Sequence, residues 1–223
     1  MKLTIIDSKE NGPSQNLEQE DTLKNLVSDE NYLLRFWIND PVLVMGRFQK
    51  EIYEANIDYL KANNIPILKR STGGGTVYHD HGTLNITFCK PKNPLLKEGQ
   101  KDSTTFISLI ASALKDLEFD VRQDERNGLY IGGKKILGSA ASLTDNTLLV
   151  HCSLLVKTNL DTLEKAINWE PKYPSSENGA SHVFVKSVRS PVMNLTTLKP
   201  DLTMEILKKN IEHKIKILIE KLP

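Results

Sequence analysis

The sequence lacks long apolar runs, an excess of one charge and a set of cysteines. Its 29 basic and 28 acidic residues leave a formal net charge of +1, which argues against a nucleic-acid binder or a membrane-surface protein. No stretch approaches the roughly 18 apolar residues of a membrane span. The N-terminal MKLTIIDSKENG also lacks the apolar core of a secretion signal. Two cysteines, Cys89 and Cys152, are too few for a disulfide framework and predict a cytoplasmic protein.

What is present is the composition of a globular protein of 223 residues, 39% of them hydrophobic. KLTIID predicts a strand, and a helix is predicted to open at Pro13-Ser14. The apolar runs YLLRFWI and PVLVMG flank Asn39-Asp40 and predict a hairpin. Further strands are predicted in IPILK, TLNITFCK, FDVR, GLYIGGKKILGSAASLT and TLLVHCSLLV. Because the strands cluster in hairpins, we predict an α+β fold with mixed or antiparallel sheets flanked by helices.

Four more helices are predicted between and after these strands. One covers residues 50–63, one is capped by Asp102-Ser103, and a short one lies near 161–168. A loop rich in Pro, Ser, Glu and Gly is predicted from 170 to 181. The last helix starts near Leu202, and its predicted apolar face consists of Ile206, Ile211, Ile215, Leu218 and Leu222.

Three consecutive glycines, Gly73 to Gly75, follow Arg70. Successive glycines let backbone N–H groups point into one concavity that binds phosphate, and an arginine adds a planar charged fork. A Walker loop is excluded because no Gly-Lys-Ser/Thr follows and a strand is predicted next. From these residues alone, a phosphate cradle and a flexible hairpin turn both stay open.

His79-Asp80-His81 raises the question of a metal site. Strand alternation predicts that His79 and His81 share one side, with Asp80 opposite. No third histidine or cysteine has a recognisable partner spacing, so we predict no metal site. The histidines are expected instead to organise the turn through hydrogen bonds.

Lys134 and Lys135 lie in an apolar strand followed by small residues. Alternation predicts Lys135 and Leu137 on one face and Lys134 and Gly138 on the other. The lysine on the inner face needs an anion, such as a phosphate or carboxylate, although a solvated hairpin would explain the pair as well.

Two other segments carry reactive or basic side chains. His151 directly precedes Cys152, and adjacent strand residues point apart, so a buried, inert cysteine is expected. His151 shares a pocket with Lys135 if their strands pair. KSVRSPVMNL, residues 186–195, is read from composition as a basic strand or solvated loop.

The motif KRSTGGGTVYHD resembles the R-R-x-[ST]-G-G-G-[AT]-V-[FY]-H-D signature of the lipoate–protein ligase A family, with Lys69 in place of the first arginine. Further blocks follow the family's order: NLEQEDTL, PVLVMGRFQ, ERNGLYIGGKKILGSA, HCSLLV and KSVRSPVMNL. The resemblance covers about residues 14–200. This sequence has Leu137 where serine is usual, Cys152 where glycine is usual and Thr83 where asparagine is common.

The resemblance implies a biotin/lipoate ligase-like fold and a two-step reaction. Lipoate and ATP give lipoyl-AMP and pyrophosphate, and the lipoyl group then passes to a lysine of a carrier domain. Lys135 is the implied catalytic residue, touching the lipoyl carbonyl and the α-phosphate. Mg²⁺ is expected on the phosphates without a dedicated protein cage. The implied binding residues are Arg70, Gly73, Gly74, Gly75, Thr76, Val77, Tyr78, His79, Lys135, Gly138, Ala140 and His151.

The resemblance also bears on partners and domain organisation. The acceptor is expected to be a lipoyl domain of a 2-oxoacid dehydrogenase E2 or a glycine cleavage H protein. Residues 1–223 are expected to form a single catalytic domain without the accessory C-terminal domain of long ligases, so a small separate subunit is predicted to supply it. Neither a nucleic acid nor a membrane is an expected partner.

Three alternatives remain beside the ligase. An octanoyl or lipoyl acyltransferase of the same fold works through a cysteine thioester, but QDERNGLYI, at the place of that cysteine, contains none. Biotin ligase shares the fold but has a different glycine-arginine loop. A binding module without adenylation is the third alternative, and the presence of Arg70 and Lys135 argues against it.

Overall fold

A computed structural model describes residues 2–28, 31–92, 100–144, 146–170 and 186–220. Its strands are β1 (Lys2–Asp7), β2 (Asn31–Trp37), β3 (Val42–Met45), β4 (Ile67–Lys69), β5 (Val77–His79), β6 (Thr83–Pro91), β7 (Arg122–Gln123), β8 (Leu129–Ile131), β9 (Lys134–Leu143) and β10 (Thr147–Leu155). Its helices are α1 (Pro13–Leu23), α2 (Glu51–Glu54), α3 (Ile57–Ala62), α4 (Gln100–Asp116), α5 (Leu160–Ala166) and α6 (Met204–Glu220), with a 3₁₀ turn at Leu195–Thr197.

The strands form two sheets. The larger has the order β1-β2-β6-β10-β9-β8-β7, and the smaller has the order β4-β3-β5. Each sheet contains one parallel pair, β1 with β2 and β3 with β4, among antiparallel pairs. The predicted α+β fold with mixed sheets flanked by helices is therefore confirmed.

The main core lies between one face of the large sheet and helices α4 and α6. Long apolar side chains from the sheet, such as Phe36 and Ile86, meet Phe106 and Ile110 of α4 and Ile211 of α6. Burial of this apolar surface is the main stabilising contribution. The opposite face of the large sheet turns toward α1 and the small sheet, and the polar side chains described below lie there.

The predicted hairpin across Asn39-Asp40 is wrong. β2 pairs with β1 and β6, whereas β3 belongs to the small sheet. The Asn39 side chain is held by Asn16 and His79, and the Asp40 N–H donates to the Asn11 carbonyl at 2.8 Å. The segment therefore carries the chain from one sheet to the other.

Two predicted helix boundaries also need correction. The helix predicted over residues 50–63 is interrupted, because Ala55 is extended and bridges to Ile167, and the Asn56 side chain caps the N–H of Tyr59. Helix α4 already includes Gln100, so Asp102-Ser103 does not cap it.

The buried face of α6 consists of Leu207, Ile211, Ile215 and Ile219. The predicted Ile206 is 40% exposed and Leu218 is half-buried, because the face follows a four-residue step through Leu207. Leu222, and the predicted loop beyond residue 170 up to 181, lie outside the described residues. Within the described ranges, no helix is long and apolar enough to cross a bilayer.

Candidate active site

A cavity of about 360 Å³ lies between the two sheets, within the size range of small-molecule sites. Apolar side chains from α1, β2, β3 and β5 form one part of its wall, namely Leu17, Trp37, Val44 and Val77. The glycine loop, strands β6, β9 and β10, and residues 186–188 contribute further groups, many of them polar. A cavity that combines an apolar wall with polar and charged groups suits a ligand that has an apolar part and an anionic part.

The glycine loop is not a hairpin turn. It joins β4 to β5, which lie on opposite sides of β3 in the small sheet, so the loop crosses the end of β3. Gly74 has a φ of +92°, a conformation that favours glycine. A Cβ on Gly46 would lie 2.1 Å from the Gly74 carbonyl oxygen, so the close approach of these two segments requires glycine at position 46.

Arg70 holds the glycine loop in shape. Its Nη2 donates to the carbonyls of Gly73 at 2.6 Å and Gly75 at 2.8 Å, its Nε to Thr72 Oγ1 at 3.0 Å, and its Nη1 to the Val44 carbonyl at 3.4 Å. Burial lowers the Arg70 pKa to about 10, which leaves the guanidinium charged. The donors of the guanidinium group, predicted to bind phosphate, are therefore largely occupied by the loop itself.

Lys135 is one of the cations that line the cavity, together with Arg70 and Arg126. The described residues offer its ammonium group no hydrogen-bond or ion-pair partner, and it lines the cavity together with Gly138. Burial lowers the pKa of Lys135, Asp124 partly offsets this, and Arg126 lowers the pKa further. A half-buried ammonium group facing a cavity favours an anionic ligand.

The strand alternation predicted around Lys135 is wrong. The pairing of β8 with β9 shifts by one residue between Leu129 and Tyr130, a β-bulge. Ile136 and Leu137 are consequently both buried in the core, and Lys135 lies on the same face as Gly138. Its Nζ would be only 3.7 Å from a Cβ at Gly138.

Glu20 and His151 form a buried pair next to the loop. His151 Nδ1 lies 2.9 Å from the Glu20 carboxylate, and His151 Nε2 lies 3.0 Å from Thr72 Oγ1. Burial raises the pKa of Glu20, but its contacts with His151, Thr87 and Arg35 outweigh this and bring the pKa below its ordinary value. The pair connects α1 through Thr72 to the glycine loop. Strands β9 and β10 pair, and His151 and Lys135 both line the cavity, as predicted.

The two histidines of the His-Asp-His motif do not share a side, contrary to the prediction. His79 is buried and contacts Asn39 and Ser153, whereas His81 is exposed and contacts Asp40 at 2.7 Å. The cause is that β5 ends at His79, so alternation stops there. Among the described residues, no group of three His, Cys, Asp or Glu side chains could hold a metal ion. Both histidines form hydrogen bonds to other segments, whereas the turn itself is held by Asp80, whose Oδ1 accepts from the Gly82 N–H at 2.9 Å.

The sequence prediction missed a second network that holds the loop. Ser187 Oγ accepts from the N–H of Thr76 at 2.9 Å and from Gln49 Nε2 at 3.1 Å, and it donates to the buried carboxylate of Glu54. Gln49 Oε1 in turn accepts from the Gly46 N–H at 2.9 Å. The only signal in the sequence was that Gln49 and Ser187 lie in the blocks PVLVMGRFQ and KSVRSPVMNL.

Most of the predicted binding residues line this cavity. They are Arg70, Gly74, Gly75, Thr76, Val77, His79, Lys135, Gly138, Ala140 and His151. Gly73 and Tyr78 are not part of its lining. The Tyr78 side chain is buried in a neighbouring apolar cluster, since it alternates with Val77 and His79 along β5.

Both cysteines of the chain are buried. Burial raises the pKa of Cys89 to about 12, and it also raises the pKa of Cys152. Neither thiol has the thiolate character of a nucleophile, and the expectation that Cys152 is buried is confirmed.

Residues 12–216 match the lipoyl protein ligase A/B catalytic domain family. The lipoate-protein ligase A of Psychrobacter cryohalolentis is 34% identical over 93% of this chain and 58% of its own length. The human mitochondrial lipoyl amidotransferase LIPT1 is 33% identical over 91% of this chain and 52% of its own length. The chain therefore spans little more than half the length of these relatives.

Solved structures share the fold. A Thermoplasma acidophilum protein with bound lipoic acid has a TM-score of 0.83 at 22% identity, over 99% of this chain and 87% of its own. A bi-partite lipoate protein ligase, studied with its E2 lipoyl domain from the same organism, has a TM-score of 0.79 at 23% identity over 98% and 83%. A lipoate-protein ligase A bound with ATP has a TM-score of 0.79 at 23% identity over 98% and 85%. Taken with the sequence match, these findings show that the chain belongs to the lipoyl protein ligase A/B catalytic domain family.

Proposed function

We propose that this chain is the catalytic domain of a lipoate–protein ligase. It activates lipoate with ATP as lipoyl-AMP and transfers the lipoyl group to a lysine of a lipoyl carrier domain. One observation carries the proposal: the ammonium group of Lys135, to which the described residues offer no partner, and the glycine loop line the same cavity, and one part of the cavity wall is apolar. The apolar wall suits an acyl chain, and the cation and loop suit an adenylate.

In the first step, a carboxylate oxygen of lipoate attacks the α-phosphorus of ATP, and the bond to the bridging oxygen breaks to release pyrophosphate. Two anions must approach each other, so fixed positive groups lower the barrier. Lys135 is suited to contact both the carboxylate and the α-phosphate. Arg70 adds charge, and through its bonds to Gly73 and Gly75 it keeps the loop in shape before the substrates bind.

In the second step, the amine of a carrier lysine attacks the acyl carbonyl, and AMP leaves. Negative charge develops on the carbonyl oxygen and on the departing phosphate. A cation between the two groups stabilises both changes, so Lys135 serves this step as well.

Mg²⁺ is expected to enter with the phosphates of ATP. Magnesium in nucleotide sites is commonly held by substrate phosphates and a few carboxylates, with water completing its shell. The described part of the chain contains no cluster of three metal-binding side chains. The metal would offset charge on the phosphates.

The proposed partners are a lipoyl carrier domain, of the E2 or H-protein type, and an accessory ligase subunit. The structurally similar T. acidophilum ligase is bi-partite and was studied with its E2 lipoyl domain, which supports both proposed partners. We expect residues 1–223 to act as one catalytic domain within that assembly.

The test is a gel-shift assay of a purified lipoyl domain. The domain is incubated with this protein, lipoate, ATP and Mg²⁺, with and without a candidate accessory subunit. A shift that requires both ATP and lipoate is expected. No shift with either composition, under conditions in which a known ligase modifies the same domain, would contradict the proposal.

A lipoyl transferase is the second candidate, because the human relative at 33% identity is a lipoyl amidotransferase. Such an enzyme takes its acyl group from a donor that is already activated. The gel-shift assay separates the two candidates when a second reaction contains lipoyl-AMP in place of lipoate and ATP. A transferase modifies the domain from supplied lipoyl-AMP but not from lipoate and ATP.

The cysteine-thioester form of transfer is tested with Cys152→Ala. The Cys152 thiol is buried and its pKa is raised, so the variant is expected to keep its activity. An inactive but folded variant would support the thioester route.

A further inference from the structure

Asn85 of β6 has a buried hydrogen-bond donor without a partner. The side chain is 1% exposed and lines the cavity, and its Nδ2 has no acceptor among the described groups. Its Oδ1 accepts from Ser153 Oγ at 2.8 Å. A buried amide N–H that finds no acceptor is costly, so this donor calls for an acceptor on whatever occupies the cavity.

The Oδ1 and Nδ2 atoms of Asn85 cannot be exchanged by flipping its side-chain amide, because a chain of hydrogen bonds fixes which of them accepts from Ser153. Arg35 only donates, so the oxygen of Asn16 must face its Nη2. The nitrogen of Asn16 then donates to Asn39 Oδ1 at 2.9 Å. The nitrogen of Asn39 is left to donate to His79 Nδ1 at 3.1 Å.

From His79 to the cavity, the hydrogen bonds keep the same donor-to-acceptor direction. His79 accepts at Nδ1 and therefore donates from Nε2 to Ser153 Oγ at 2.8 Å. Burial lowers the pKa of His79 to about 3, which agrees with a neutral ring that has one donor and one acceptor. Ser153 must then donate to Asn85 Oδ1, and Asn85 Nδ2 becomes the free end. Because this chain of hydrogen bonds begins at the Arg35 cation, each bond polarises the next, which strengthens the last donor, Asn85 Nδ2.

The free donor lies at the distance expected for the far end of the acyl chain. Ser153 is paired with Gly138 on one side and Asn85 on the other, and Asn85 is paired with Trp37. Lys135 Nζ is next to Gly138, so Asn85 lies two strand spacings away, roughly 10 Å. An extended eight-carbon acid with carbon–carbon bonds of about 1.5 Å has a similar length.

We propose that Asn85 is a specificity-determining residue whose N–H donates to a sulfur of the lipoate dithiolane ring. This inference rests on the proposed function. Octanoate has only a methylene and methyl end and leaves the donor unpaired, so a site built around that donor disfavours octanoate. Because divalent sulfur is a weak acceptor, the preference is expected to be moderate.

The test compares two acids of equal shape by equilibrium titration in the absence of ATP. Lipoate is matched with 5-cyclopentylpentanoate, in which methylene groups replace both sulfurs. Wild type is expected to bind lipoate more tightly, and Asn85→Leu, of similar size but without the donor, is expected to reduce the ratio of the two affinities by roughly five- to tenfold. Circular dichroism confirms that the variant is folded.

The outcomes separate this inference from the proposed function. If neither acid binds wild type, the proposed function fails and the role of Asn85 fails with it. If both bind and the affinity ratio is the same in wild type and Asn85→Leu, only the sulfur contact is overturned. If Asn85→Leu does not fold, Ser153→Ala gives the same test, because it removes the hydroxyl that orients the amide; an unchanged ratio there also overturns the inference.

Discussion

Arg70 and Lys135 both reach the cavity, and their surroundings give them different roles. Arg70 donates to the backbone of the loop and to Thr72. Lys135 has an ammonium group to which the described residues offer no partner. The sequence identified both cations, but it could not assign these roles, because the carbonyls that occupy Arg70 become neighbours only in the folded loop.

Glu20 gives a prediction for acid stability. Its pKa in the folded protein is below the ordinary value of 4.5, so the carboxylate stabilises the fold fully above that pH. The contribution is lost as the pH falls below 4.5 and through the folded pKa. The melting temperature of wild type should therefore fall more steeply between about pH 5 and pH 3 than that of Glu20→Gln. Parallel curves would contradict this, and Glu18→Gln, exposed on the same helix, is the control.

Gly46 gives a prediction for the glycine loop. In Gly46→Ala the new Cβ would lie 2.1 Å from the Gly74 carbonyl oxygen, so either the loop or β3 must shift. We expect a loss of about 1–3 kcal/mol in the free energy of unfolding and weaker binding of ATP.

The matched control for stability is Gly73→Ala. Its Cβ would meet nothing closer than Phe48 at 3.9 Å, and it should unfold within about 0.5 kcal/mol of wild type. Chemical denaturation measures both variants. Equal stability of the two variants would show that the approach of Gly46 to Gly74 is unimportant.

Among the secondary-structure elements, the positions of the strands were easier to predict than the strands with which they pair. Apolar runs located β2, β3, β6 and β10, because burial imposes a pattern on the local sequence. The hairpin between β2 and β3 was wrong, since the contacts that redirect the chain at Asn39 come from Asn16 and His79, which are distant in sequence. The bulge before Leu137 was missed for a similar reason, because the extra residue is recognised only against its partner strand.

Helix α6 provides a prediction at the same scale. Ile211 is fully buried, whereas Ile206 is 40% exposed. Ile211→Ala should reduce the free energy of unfolding by about 2–5 kcal/mol, and Ile206→Ala by less than about 1 kcal/mol. Urea denaturation of the two variants measures the difference. Equal losses would mean that α6 packs on the face predicted from its sequence.

At the scale of the whole molecule, the site combines residues that are far apart in the chain. Glu20, Arg70, Lys135 and Ser187 come from four separate segments, and two hydrogen-bond networks hold the glycine loop between them. Their order along the chain was enough to indicate the family. Their geometry was not predictable, because it depends on how the small sheet lies against the large one.

The role of Lys135 in adenylation is tested by measuring pyrophosphate release from ATP in the presence of lipoate, with a candidate accessory subunit supplied. Wild type should release pyrophosphate only when lipoate is present. Lys135→Ala should be slower by about 10²–10³-fold. Lys134→Ala, which removes an exposed lysine from the same strand, should match wild type. Release by folded Lys135→Ala at the wild-type rate would contradict the proposal that the Lys135 ammonium group stabilises the transition state of adenylation.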